Sequence, residues 1–117
     1  MNDQSRRKAL RASYEQVQSE AGVYRIRNGR NGKALLGSTP DLASLRHKLE
    51  FAQATNTPSA LDWRLVADAR AHGLAVFSLE VLEALATTPE MTRAEILADL
   101  AILEQLWREQ LDSSLLY

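Results

Sequence analysis

Apolar positions recur along this chain with two different periods, and the alternation between them predicts its elements. Leu10, Tyr14 and Val17 fall at helical spacing among Arg and Gln, which predicts an amphipathic helix over residues 4–18 that ends before Ala21 and Gly22. Val23, Tyr24 and Ile26 are then interleaved with Arg25 and Arg27, the pattern of a short strand, and Ala34, Leu35 and Leu36 form a second apolar run. Between the two lies NGRNG. Asn-Gly steps tolerate the positive φ of tight turns, so the two strands are expected to pair as an antiparallel hairpin.

Helical spacing returns after Gly37. STPD is a helix-start signal in which Ser38 or Thr39 can cap free N–H groups, Pro40 fits the first helical position and Asp41 suits the positive end of the dipole. Leu42, Leu45 and Leu49 are the expected buried stripe of a helix ending near Thr55. NTPSALD repeats the start chemistry and opens a helix that should stop at Gly73, after His72. In LAVFSLEVLEAL, Phe77, Leu79 and Val81 share one face and Ser78 and Glu80 the other, which predicts a third strand. Thr92 and Glu95 form a capping box, with Ile96, Leu100, Leu103, Trp107 and Leu111 at helical spacing behind it. The predicted fold class is α+β: a small three-stranded sheet with an N-terminal hairpin, flanked by helices, plus an N-terminal helix. Residues 1–20 are read as a helical extension and 21–117 as the domain.

Composition narrows the chemistry. A chain of 117 residues, 45% hydrophobic and 25% charged, can bury one core as a single domain. The absence of cysteine excludes disulfides, thiolate catalysis and thiolate zinc sites. No apolar run reaches the length needed to cross a bilayer, and the first residues lack the apolar core of a secretion signal, so a cytoplasmic protein without a membrane partner is expected. The net charge of −1 conceals an asymmetry: residues 1–50 hold ten Lys and Arg against five Asp and Glu, residues 51–117 four against ten. Front-loaded cations suit an anionic partner; they also suit solvated faces paired with the acidic second half.

Gly22-Val23-Tyr24, followed after ten residues by Leu35-Leu36-Gly37, resembles the paired signature of the GIY-YIG nuclease superfamily. Valine replaces the first isoleucine, and two leucines replace the Tyr-Ile of the second triplet. The resemblance extends to NGK before the second triplet, GSTPDLASLR after it, the strand VFSLEVLEAL and the helix LAILEQLWREQL, in that order, and so covers most of residues 22–111.

That resemblance implies metal-dependent cleavage of a nucleic-acid phosphodiester, with DNA expected before RNA. Its cofactor would be one divalent ion, magnesium or manganese, held by the carboxylate that matches Glu104, a lone ligand that suits an ion reluctant to lose its water. Arg46 matches the arginine that contacts the scissile phosphate. Tyr24 matches the pocket tyrosine that positions or deprotonates the attacking water, and Gly37 would let the backbone pass close to it. The departures are as specific. Leu35 stands where the second tyrosine would be, Glu50 where histidine or tyrosine is common, Ser38 where a lysine or other polar group often follows the glycine, and the late asparagine is missing. Without the resemblance, Tyr24 reads as a packing aromatic, Arg46 as a solvated charge, and Glu104 as a rim residue or ion-pair partner of Arg108. His47 and His72 do not form a helical metal pair, and GRNGKALLG lacks the Gly-Lys-Ser/Thr ending of a phosphate-cradling loop. Two readings follow. One is an endonuclease weakened by the loss of its second tyrosine, with Tyr24, Arg46 and Glu104 as its site. The other is an inactive relative that binds nucleic acid or a protein partner through Arg25, Arg27, Arg30 and Lys33.

Overall fold

Successive strand residues face opposite ways, so β1 (Gly22–Asn28) presents Tyr24, Ile26 and Asn28 to one side and Val23, Arg25 and Arg27 to the other. A computed structural model describes residues 20–117; the helix expected over 4–18 lies outside them. β1 is the middle strand of an antiparallel three-stranded sheet, with β2 (Ala34–Thr39) on one side and β3 (Phe77–Ala84) on the other. Helices α1 (Leu42–Thr55), α2 (Trp63–His72) and α3 (Arg93–Gln110) complete the fold, with single 3₁₀ turns at Pro58–Ala60, Leu74–Val76 and Ser113–Leu115. The α+β class and the order of elements from β1 onward follow the apolar periodicity.

Each side of the sheet buries its own apolar set. Ile26, Leu35 and Phe77 pack with Leu49 and Ala52 of α1, Leu65 and Ala69 of α2 and Leu74 into one core cluster. On the other side α3 crosses β2 and β1, and Val23, Leu36 and Leu100 are each no more than 3% exposed. The sheet is therefore a middle layer, α1 and α2 above and α3 below.

Local chemistry sets the boundaries. The hairpin turn is held by its two asparagines: Asn28 accepts from the Arg30 N–H and Asn31 from the Lys33 N–H, each side chain bonding two residues on. Gly32 has φ +76°, the left-handed region that a side chain disfavours. Asp41, rather than Ser38 or Thr39, caps α1 by accepting from the Ser44 N–H, and Pro40 lies before the helix. The reason is that β2 runs on to Thr39, which pairs with Gly22, so the helix begins two residues later than STPD suggests. NTPSALD likewise opens only the turn at Pro58–Ala60, and α2 starts afresh with Asp62 as its cap. Thr92 caps α3 as predicted. In β3 the alternation breaks after Leu79. Tyr24 lies opposite Val81 but Val23 opposite Glu83, so Leu82 is an extra residue, and Val81 on this edge strand is 41% exposed.

A polar cluster closes the turn end of the sheet. Asn28, with no exposed surface, donates to Asp68 of α2 and to the Tyr117 hydroxyl; Tyr117 itself donates to Asp68, as does Asn31. The Tyr117 N–H donates to the Ala34 carbonyl, which ties the last residue to β2. Hydrogen bonds from Tyr117 first, then Asn31 and Asn28, hold the Asp68 carboxyl below its ordinary range. A carboxyl whose pKa is lowered by folding adds stability above its unfolded pKa and loses it as pH falls through the folded value. Acid unfolding should therefore destabilise the wild type by more than Tyr117→Phe over the range below about pH 4, measured by urea titration at several pH values. Leu65→Ala, at a site with no exposure, should cost roughly 2–5 kcal/mol in the same assay.

Candidate active site

Tyr24 lies on β1 opposite Gly37 of β2, and the pairing explains the glycine. A Cβ at Gly37 would stand 2.5 Å from the phenol oxygen and 2.7 Å from Cζ, so the ring lies flat across the β2 backbone where only glycine leaves room. The half-buried phenol has its pKa raised, first by burial and then by the negative charges of Glu104 and Asp62, with Arg64 opposing them. Tyr24 is therefore a neutral hydroxyl at physiological pH, able both to donate and to accept.

Ser38, the next residue, points to the opposite side of the sheet and donates through Oγ to Oε1 of Glu104 at 2.8 Å. Arg108, one turn further along α3, reaches Oε2 at 3.1 Å. These two contacts hold the Glu104 carboxylate beside the edge strand with 29% of its side chain exposed. Phenol and carboxylate, contributed from opposite ends of the domain, thus meet at two adjacent residues of β2, one on each face.

Over the phenol side opens a cavity of about 210 Å³, lined by Tyr24, Ile26, Leu35, Leu45, Leu49, Ala60 and Leu61, with Lys48 and Asp62 as its charged members. Arg64 pairs with Asp62 through two contacts, Nε to Oδ1 at 2.9 Å and a terminal nitrogen to Oδ2 at 3.0 Å. This pairing holds Asp62 below its ordinary range. A shallower groove of about 400 Å³ continues past Lys48 to Arg93, bordered by Thr39, Pro40, Asp41, Ser44 and Leu45.

The other expected residues are dispersed. Arg46 is exposed on α1. It is not among the cavity's lining residues, which include Leu45, Lys48 and Leu49 of the same helix. Glu50 is likewise exposed and outside the lining. Arg25 is bound across the sheet to Glu80, at 2.7 Å from both Nε and a terminal nitrogen. Arg27, Arg30 and Lys33 are exposed at the turn end of the hairpin, where the Lys33 ammonium stands 5.8 Å from the centre of the Tyr117 ring. Sequence reasoning did not single out Lys48, Asp62 and Arg64 as site residues. Lys48 was detectable by its spacing, since it shares the helix face of Leu45 and Leu49. Asp62 and Arg64 carried only a capping signal.

No family model matches the chain, and no curated protein does. Among solved structures, it is similar to the catalytic domain of the intron endonuclease I-TevI, determined as a mutant, over 80% of this chain and 86% of that one, with a TM-score of 0.58 and 20% identity. The chain has a GIY-YIG-like fold.

Within the GIY-YIG-like frame, the second triplet keeps only its glycine for the close approach of Tyr24. Leu35, 2% exposed, has joined the apolar core. Gly37→Ala should therefore expel the Tyr24 ring from β2. The expected signs are a fall in melting temperature and displaced Tyr24 ring resonances in NMR spectra, while Glu104 and Ser38 on the other face keep their contact.

Proposed function

We propose that this chain is a GIY-YIG-type phosphodiesterase that cuts nucleic acid, DNA before RNA, with the aid of a divalent ion. The observation that carries this reading is the GIY-YIG-like fold, on which Tyr24 packs over Gly37 and the next residue of β2, Ser38, holds Glu104. After burial, the negative charge of Glu104 is the next contributor to the raised pKa of Tyr24.

Glu104 is the residue that would hold the ion. Among the described residues no group of three or more His, Asp or Glu is assembled, so the site offers one carboxylate. Each of its oxygens accepts one hydrogen bond and keeps a free lone pair. That donor set fits magnesium or manganese, ions that keep most of their water and complete their shell with a phosphate oxygen. Arg108 opposes a second cation at the same carboxylate, so occupancy should depend on substrate phosphate. When bound, the ion supplies charge stabilisation at the phosphate.

The protein's own groups do the rest. Neutral Tyr24 orients a water by hydrogen bonding, and its raised pKa makes it a poor base at neutral pH, so the proton of that water passes to solvent. Arg64, whose charge Tyr24 and Glu104 both feel, and Lys48 on the cavity wall are the cations placed to steady the phosphate. Arg46 is exposed on α1 and outside the lining of this pocket.

Purified protein should cut DNA in the presence of magnesium or manganese and stop when the ion is chelated. Glu104→Ala should abolish cutting, and Tyr24→Phe should slow it by about tenfold, the effect of losing the one hydrogen bond that orients the water. Cleavage that survives Glu104→Ala, or none on any strand structure, would reject the proposal and leave a binding domain on this fold.

A further inference from the structure

Trp63 is 80% exposed, the most uncovered large apolar side chain among the described residues. Tryptophan is highly buried on average, because its large surface is costly to leave in water. This one sits between two residues already placed at the site. Asp62 lines the cavity beside Tyr24, and Arg64 is locked to Asp62 by its two-pronged ion pair. Lys48 lies on the same cavity wall, and the groove beyond it runs to Arg93. An uncovered indole thus stands in the chain between the carboxylate that lines the cavity and the guanidinium paired with it, at the start of α2.

Those neighbours argue against an apolar protein surface as the occupant, since burying Arg64 and Lys48 against it would strip both of water. They suit an anionic chain that carries flat apolar rings. On this basis we infer that Trp63 is a stacking platform for an unpaired base, with Arg64 and Lys48 holding the phosphates of the same strand. The inference rests on the phosphodiesterase reading and adds its substrate class: nucleic acid with a single-stranded segment at the site. In a continuous duplex both faces of every internal base are covered by neighbouring pairs, and the indole would find nothing to stack on. Stacking tolerates any base, whereas cations contribute through phosphate and fade with salt.

Binding can be measured without cutting. Labelled single-stranded, fully paired and overhang-bearing DNA of equal length would be titrated with the full chain in EDTA, followed by fluorescence anisotropy. The wild type should prefer the single-stranded and overhang forms. Trp63→Ala should weaken that binding by ~10-fold and leave the melting temperature unchanged, and Trp63→Phe should restore most of the affinity. Arg64→Ala should lower the slope of log affinity against log salt by about one, a change Trp63→Ala should not make. In a Trp107→Phe background, where Trp63 is the remaining tryptophan, single-stranded DNA should quench its fluorescence. Equal affinity of Trp63→Ala and wild type, equal binding of duplex and single strands, or no binding of either would overturn the inference. Metal-dependent cutting of duplex that Trp63→Ala retains in full, and Glu104→Ala loses, would remove the stacking platform and leave the phosphodiesterase reading standing.

Discussion

The structure depends on the two-sided pairing of β1. A central strand must satisfy hydrogen bonds on both edges and bury side chains on both faces, and Gly22–Asn28 does each with seven residues. Its pairing with β2 brings Tyr24 over Gly37. Its pairing with β3 absorbs an extra residue at Leu82 and brings Arg25 to Glu80. Its last residue, Asn28, anchors the polar cluster that ties α2 and Tyr117 to the hairpin. If β1 slipped by one residue against β2, Tyr24 would meet a side chain instead of a glycine, and the core and α3 faces would exchange places.

The site follows from this geometry as a consequence of thinness. A sheet is a single backbone layer, so adjacent residues of an edge strand can present chemistry on opposite faces within a few ångströms of each other. Gly37 gives up its side chain to the Tyr24 ring, and Ser38 reaches down to Glu104. The two candidate residues are therefore both held by one short stretch of β2, although they come from the first strand and the last helix. The leucines that line the cavity also matter. Leu35, Leu45, Leu49 and Leu61 line the cavity beside the phenol, and burial is the largest contributor to its raised pKa.

Charge is distributed differently from its order in the sequence. Among the described residues, Arg25, Arg27, Arg30, Lys33 and Arg46 of the basic first half do not line the cavity. Arg25 is engaged by an acidic residue of the second half, while Arg27, Arg30 and Lys33 gather at the hairpin turn beside Tyr117. Among the described residues, Lys48 of the basic half lines the Tyr24 pocket, and Arg64 of the acidic half is paired with Asp62 on its wall. A tally of charge by segment could not show this, because each strand residue's side is set by pairing and each helical residue's face by packing.

Periodicity, turn residues and capping signals determined by themselves the class of each element from β1 to α3, the hairpin and the ends of α1, α2 and α3 to within a few residues. These are properties of local stretches: side chains alternate at fixed intervals, and asparagine, glycine and threonine act on backbone within a few positions. Tyr24, Gly37 and Glu104 were legible as site candidates only because three ordered motifs carried them together. Tertiary structure decided the strand order, the bulge at Leu82, the docking of Tyr117, and the cations that face the phenol. The same holds for Arg46. Arg46 stands three residues from Leu49 as Lys48 stands three from Leu45, yet only Lys48 lines the cavity, because the packing of α1 on the sheet and not helical spacing settles which side chain borders it.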